Sequence, residues 1–384
     1  MAQGIWPDGT IVVTGAGMVS SLGLDISNSC AAARSGIVRV QPLDSFPLLS
    51  TDDFDPVPLS VHQVPYVTEG FEGPMRLIQL LQNALKDLIH QTPGRTFRPE
   101  SIGFYLSLPD NMRIYKNLDL IEDDGDRKEL EQTAAKSEIQ PWLHDSVCAI
   151  LHQVVSLAGW NGRATLRSFT ASGHTGVIEA ISAATLDLHE ERIQYAIIGA
   201  VDSLLEEPTL TWIDYRGGLK GPGMAFGIQP GEAAACFVLE PAFQSLPVLA
   251  TLYGVINSSE PEAFSSGKHP SGQGLTEVIF PLMKAAGIGQ DGQPWFISDQ
   301  NGENCRAMEW GMAVTRLRSQ FPAIEEGIVW YPAASFGETG AASCALSLCL
   351  AINAFTRNYA IAEKVIILSS SDGPERAGLL LGQP

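Results

Sequence analysis

Apolar residues fall in short runs set off by Gly, Pro, Asn and Asp. The runs at 10–13, 102–106, 195–198, 235–239, 250–256, 295–298, 328–331 and 365–368 are rich in Val, Ile, Phe and Tyr and too short for helices, so they read as strands. Between them, 75–89 and 275–286 repeat their apolar positions at a helical period. Strands alternating with helices predict a layered α/β fold. Two more stretches, 171–184 and 339–356, combine apolar residues with Gly, Ala, Ser and Cys all round, the pattern of helices buried on every side. The second is uncharged throughout, yet its Ser, Cys and Asn and the preceding Glu338 favour a buried helix over a bilayer span. Gly173-His174-Thr175-Gly176 and Gly337-Glu338-Thr339-Gly340 open the two stretches in related ways, a faint sign of duplication. The proline-bearing stretch 44–72 reads as a loop.

Composition narrows the class. With 384 residues, 45% hydrophobic and 17% charged, the chain can bury a large core, and disordered, collagenous and coiled-coil classes are excluded. A formal net charge of −19 repels phosphate backbones and anionic bilayers, so neither nucleic acid nor a membrane is an expected partner. The acid-rich segment 119–131 reads as a solvated loop or helix face. Cys30, Cys148, Cys236, Cys305, Cys344 and Cys349 are scattered without CxxC spacing, as reduced thiols in a cytoplasmic protein would be. Residues 1–8 carry no signal-peptide pattern. His62, His90, His144, His152, His189 and His269 have no metal-ligand spacing, and neither a metal nor another cofactor is expected.

Five segments carry chemistry. Ile11-Val12-Val13-Thr14-Gly15-Ala16-Gly17-Met18-Val19-Ser20 puts a strand before a glycine turn, but Ser20 stands where a dinucleotide fingerprint needs its third glycine. Continued to Ser21-Leu22-Gly23, the same segment resembles the opening of β-ketoacyl synthases, the condensing enzymes of the thiolase superfamily. Ser168-Phe169-Thr170-Ala171-Ser172-Gly173 resembles that family's nucleophile turn, and Pro230-Gly231-Glu232-Ala233-Ala234-Ala235-Cys236-Phe237-Val238-Leu239-Glu240 resembles the strand closing its first half. Ser335-Phe336-Gly337-Glu338-Thr339-Gly340-Ala341-Ala342 resembles its S-x-x-G-H-x-x-G-A-A region, and Pro270-Ser271-Gly272-Gln273-Gly274 fits its P-x-G-x-G segment. The likeness spans nearly the whole chain, in the family's order.

The resemblance implies a five-layer α-β-α-β-α thiolase-like fold of two duplicated halves, 1–243 and 244–384 in one compact unit, and a homodimer. It also implies a catalytic Cys-His-His set, and here the positions matching that set are Thr170, Asp299 or Gln300, and Glu338. A condensing enzyme needs a thiolate to take the acyl group and two histidines to stabilise the enolate left by decarboxylation. Thr170 has no base among its sequence neighbours, and an ionised Glu338 has the wrong sign beside an enolate. The family's glycine-rich gating turn is replaced by Ser370-Ser371-Asp372-Gly373-Pro374-Glu375-Arg376, which puts acyl binding in question. The net charge also disfavours docking of an acidic acyl carrier protein unless a local basic patch intervenes.

Plainer roles compete at each position. The Thr170 hydroxyl suits a helix N-cap as well as a nucleophile, and Glu338 suits a helix start. Glu338 with Asp299 could form an acid/base pair or hold a cation. His174 is either a satisfied core histidine or a group reaching the old active site, where Gln300 and Phe336 would also meet a substrate. In the polar run from Asp299 to Trp310, Arg306 and Glu309 lie three apart on one helical face and suit a structural pair, and Cys305 suits a packed thiol. The expectation is a ketosynthase-like homodimer that does not condense. It would serve as a scaffold for a protein partner, either an active synthase or a type VI secretion component. The alternative is an acyltransferase or acyl-thioester-binding enzyme of fatty acid or polyketide metabolism.

Overall fold

The computed structural model describes residues 4–6, 8–50, 55–92, 101–110, 165–242, 247–263, 268–287 and 293–384. The acidic segment 119–131, His144, Cys148, His152 and the boundary expected at 243/244 lie outside these residues. Among the described residues no helix is long and apolar enough to cross a membrane.

The strands are β1 (Gly4–Ile5), β2 (Ile11–Val19), β3 (Gln41–Leu49), β4 (Pro56–Val61), β5 (Ile102–Ser107), β6 (Thr165–Thr170), β7 (Tyr195–Ser203), β8 (Glu232–Pro241), β9 (Ala250–Ser259), β10 (Trp295–Ile297), β11 (Ile328–Trp330), β12 (Lys364–Ser370) and β13 (Glu375–Gly382). The α-helices are α1 (Ile26–Arg34), α2 (Pro65–Thr68), α3 (Gly73–Gln91), α4 (Gly176–His189), α5 (Glu207–Tyr215), α6 (Gln273–Ala286), α7 (Asn304–Leu317), α8 (Ala333–Phe336) and α9 (Ser343–Thr356).

The main sheet runs β11-β10-β12-β13-β9-β2-β8-β7-β5-β6, with β1 added on β9. From the middle outwards the two halves are the same: β2, β8, β7, β5, β6 on one side and β9, β13, β12, β10, β11 on the other. The inner pairings are antiparallel and the two outer ones parallel in both halves. β2 and β9 join the halves through three rungs, Ile11↔Leu252, Val12↔Thr251 and Val13↔Ala250, and β1 adds Gly4↔Val255 and Ile5↔Gly254 on β9.

Side-chain packing resolves this sheet into five layers. α3 covers the outer face of the first half with Leu80, Leu81 and Leu85 against Phe104, Ile197 and Val238. α6 and α7 cover the outer face of the second with Val278, Leu282 and Ala313 against Phe296, Ile366 and Leu380. α4 and α9 fill the space between, where Val177, Ile181 and Leu346 meet Ile11, Tyr105, Ile198 and Ile367. Every residue of α9 from Ser343 to Phe355 is buried, which explains its uncharged, small-residue sequence.

Three expectations are corrected. The segment around Gly15 and Gly17 is strand, not turn: β2 continues to Val19, with a bulge at Thr14 that moves the core-facing positions from Ile11 and Val13 to Ala16 and Met18. Gly17 is there because α3 lies directly on the strand, and a Cβ would sit 2.2 Å from the Leu88 nitrogen. Residues 44–72 hold the β3–β4 hairpin and α2. Its prolines are tolerated because a two-stranded ribbon consists of edges, and Leu48, Leu59 and Val61 anchor it on Leu210 and Trp212 of α5. The C-terminal turn leads into β13, paired on both sides by β12 and β9.

Candidate functional site

The segments expected to carry chemistry end near one another, at the C-terminal ends of β6, β10 and β12 and the starts of the two central helices. In open α/β layers this is where ligand sites form.

Thr170 is the last residue of β6 and is half-buried. Its Oγ1 donates to carbonyl oxygens, Gly176 O at 3.1 Å and Leu106 O at 3.4 Å. The expected N-cap is therefore absent: the cap residue of α4 is Thr175, and it makes no side-chain cap bond. Two residues on, a hydroxyl cluster closes the helix entrance. Ser172 and Thr175 both donate to Glu179, at 2.9 and 3.2 Å, and Ser371 Oγ donates to Ser172 O at 2.7 Å.

Glu338 lies at the matching entrance of α9 and is buried. Its Oε1 sits 2.9 Å from His174 Nε2 and accepts from Gly340 N–H at 2.6 Å and Ser343 Oγ at 3.3 Å. Its Oε2 accepts from Asn301 Nδ2 at 2.5 Å. The backbone is fixed as well, by Glu338 N–H donating to Gln229 O and Gly231 N–H donating to Glu338 O, both at 2.8 Å. Burial alone pushes the Glu338 carboxyl up, but His174, Arg306 and Asn301 outweigh it and hold the group down at about 2. Burial pulls the His174 imidazole down, and the Glu338 charge reverses this, so its net direction is up. The two groups form a buried ion pair between the halves of the chain.

Asp299 follows β10 and is also buried. Its Oδ2 accepts from Arg306 Nη1 at 2.9 Å and from Ser370 N–H at 2.5 Å. Arg306 reaches further, to Ser370 O at 2.5 Å, Glu303 Oε2 at 3.2 Å and Asp372 Oδ1 at 3.4 Å. The expected pairing of Arg306 with Glu309 does not occur. Glu309 binds Arg376 of β13 at 2.6 Å, because β13 presents a buried guanidinium to that part of α7. Arg376 also donates to the carbonyls of Ser371, Gly373 and Glu375, which stitches the C-terminal turn shut.

His174, Asp299 and Glu338 thus belong to one polar region, bridged by Asn301, Glu303 and Arg306. Gln300 takes no part in this network: its backbone N–H donates to Ser298 Oγ at 3.4 Å, while its buried Nε2 has no hydrogen-bond partner among the described residues. Phe336, expected to meet substrate, is 1% exposed and packs in the central core, since α8 turns it inward. Cys305 is partly buried, and desolvation pushes its thiol up to about 11, away from reactivity. Sequence reasoning missed Asn301, Glu303 and Asp372 as individual contributors. The signal for the first two was the Asn301-Gly302-Glu303 turn, in which Asn301 Oδ1 accepts from Glu303 N–H at 3.1 Å.

Four carboxylates (Asp299, Glu303, Glu338, Asp372) face three cations (Arg306, His174, and Arg216 at 3.8 Å from Glu303), so the region still carries formal negative charge. Such a site is suited to binding donors and cations, not to stabilising an oxyanion. Among the described residues no group of three or more His, Cys, Asp or Glu is arranged to hold a metal ion. Asp299 and Glu338 are each held by donors of their own and do not form the expected acid/base or cation-binding pair.

No protein-family model and no curated protein matches the sequence. Solved structures do match. The chain is similar to the ishigamide ketosynthase/chain length factor with TM-score 0.66 and 16% identity, over 98% of this chain and 99% of that one. It is similar to the ketosynthase from module 6 of the bacillaene synthase of Bacillus subtilis 168, with TM-score 0.72 and 11% identity over 98% and 72% of the two chains. A complex of a type II acyl-carrier protein with its ketosynthase bound to the hexaketide gives TM-score 0.72 and 14% identity over 98% and 99%. With the mirrored half-sheets and the two buried helices between them, these matches show that the chain has the thiolase-like fold of the ketosynthases and chain length factors.

Proposed function

We propose that this chain is a non-condensing ketosynthase-fold protein that works as a dimeric accessory subunit. The observation that carries the reading is Glu338. At the position matching a family histidine stands an ionised carboxylate, locked by His174, Asn301, Gly340 and Ser343. A carboxylate offers no proton to an enolate oxygen, and its pairing with His174 takes up the neighbouring donor as well, so the hydrogen bonds that would stabilise the enolate are missing. Thr170 supports the same conclusion, because its proton is directed at carbonyls and the nearby His174 is engaged with Glu338.

The partner we favour is another ketosynthase-fold chain, a second copy or an active synthase. Two of the similar structures are described as a ketosynthase/chain length factor and as a ketosynthase with its acyl-carrier protein. Among the described residues β6 pairs on one side only, which leaves a sheet edge for a partner chain. A secretion component is the other partner class suited to such a surface. The described cysteines are all unpaired, in keeping with the cytoplasm.

The test is intact-mass analysis after incubation with acyl- and malonyl-thioesters on coenzyme A and on a carrier protein, beside Thr170→Ala, with mass photometry for the assembly state. No adduct, no thioester consumption and a dimer are expected. An adduct lost in Thr170→Ala would instead establish acyl handling.

A further inference from the structure

A second candidate site lies at the opposite end of α9 from Glu338. The helix spans 14 residues, so its ends are roughly 20 Å apart. Two adjoining clefts meet there and share Arg34 and Tyr359 as walls. One, of about 520 Å³, is largely apolar and aromatic, bounded by Val329, Trp330, Tyr331 and Leu350. The other, of about 440 Å³, is polar, with Ser27, Ser35, Asn353 and Arg357. Each volume is in the range of small-molecule sites.

The aromatic wall is built in advance. Trp330 stacks on Tyr359 with ring planes 20° apart, and Trp295 backs it edge-on at 4.8 Å. The Tyr359 hydroxyl is tied to Asn353 Oδ1 at 2.8 Å. Arg34 lies 4.0 Å over the Tyr359 ring. Neither cleft has an aspartate or glutamate in its lining, although the chain carries a net charge of −19. Among the described residues, Arg34 and Arg357 make no ion pair.

A plainer role for the two arginines is to offset helix dipoles, since Arg34 is the last residue of α1 and Arg357 the C-cap of α9. Each helix C-terminus is worth roughly half a negative charge, so two full cations leave about one positive charge unspent. The last carbonyls are already capped by backbone N–H groups, including those of Ser35, Gly36, Arg357 and Tyr359.

We propose that this cleft binds a flat aromatic anion of about mononucleotide size, with its ring against the Trp330–Tyr359 wall and its acidic head between Arg34 and Arg357. The site stands on its own geometry and does not depend on the reading of the Glu338 centre.

Isothermal titration of the full chain with 2-naphthoate, 2-naphthyl phosphate and the uncharged 2-naphthalenemethanol tests it. Saturable one-to-one binding of at least one anion is expected, with the alcohol at least tenfold weaker. Arg34→Gln and Arg357→Gln should each weaken the anion at least threefold and leave the alcohol unchanged. The tighter of the two anions identifies the head group as carboxylate or phosphate. Tyr331→Ala, at an exposed position that leaves the buried wall intact, should weaken all three. Absence of saturable binding, or anion affinity retained within twofold in the double arginine variant at an unchanged melting temperature, would overturn the proposal.

Discussion

The entrances of the two central helices occupy equivalent places in the mirrored halves, yet they are closed by different chemistry. At α4 the closure is made mostly of hydroxyls: Thr170 on backbone carbonyls, and Ser172, Thr175 and Ser371 around Glu179. At α9 it is made of ions, with Glu338 held by His174 and Arg306 tying Asp299 to the C-terminal turn. The ionic closure is not internal to its own half, because His174 comes from the α4 entrance, 164 residues away. One half therefore supplies the cation that allows the other to bury a carboxylate. The halves are joined at this point by the ion pair and by the backbone bonds of Gln229 and Gly231 to Glu338, and in the sheet by the rungs of β2 and β1 on β9.

Breaking this difference should have its largest effect at Glu338. Glu338→Ala strands His174 and Asn301 inside the core and should cost about 3–5 kcal/mol in urea unfolding. A cycle with His174→Ala should show strong coupling, and additive single effects would refute the buried pair. Arg306→Lys keeps the charge but cannot span Asp299, Ser370 O and Glu303 together, and should cost about 1–3 kcal/mol by the same measurement.

Acidity separates the two partners. The Glu338 carboxyl is lower in the folded chain, about 2 against an ordinary 4.5, so its contribution is complete above pH 4.5 and is lost as pH falls toward 2. The His174 imidazole is higher in the folded chain than its ordinary 6.5, so its contribution is complete below pH 6.5 and is lost as pH rises through the folded value. The pair should be worth most between about pH 4.5 and 6.5. Urea midpoints at pH 3, 5.5 and 9 for the native chain minus those for Glu338→Gln should peak at the middle pH, and a flat difference would contradict the assignment.

At the hydroxyl-closed entrance the effect is smaller. Thr170→Val keeps the shape and removes one modest hydrogen bond, so a loss of about 1 kcal/mol is expected from thermal melting. Arg34→Gln, in the exposed cleft, should stay within about 0.5 kcal/mol, and a larger loss would give that arginine a structural duty.

Much of the fold was legible locally. The runs read as β2, β5, β7 to β12 and the periodic segments read as α3 and α6 all form, because each carries its own apolar pattern. β13 escaped, since its charged start and internal Gly378 hide a strand that exists through pairing with β12 and β9. The β3–β4 hairpin escaped because its prolines are turn signals in isolation. The related tetrapeptides stand three residues out of step in the structure. Gly173 and Gly340, both with positive φ, open the two short 3₁₀ turns, so the position equivalent to Gly176 is Ser343 and not Gly340.

By itself the sequence determined the layered α/β class, the two all-round apolar helices and the residue types Thr170, Asp299 and Glu338 at motif positions, because each follows from neighbours within a few residues. Tertiary structure alone decided that His174 neutralises Glu338, that Arg306 turns to Asp299 while Glu309 takes Arg376, and that Phe336 is core. These choices depend on which distant group arrives within hydrogen-bond range in a low dielectric, where an unpaired charge is too costly to keep.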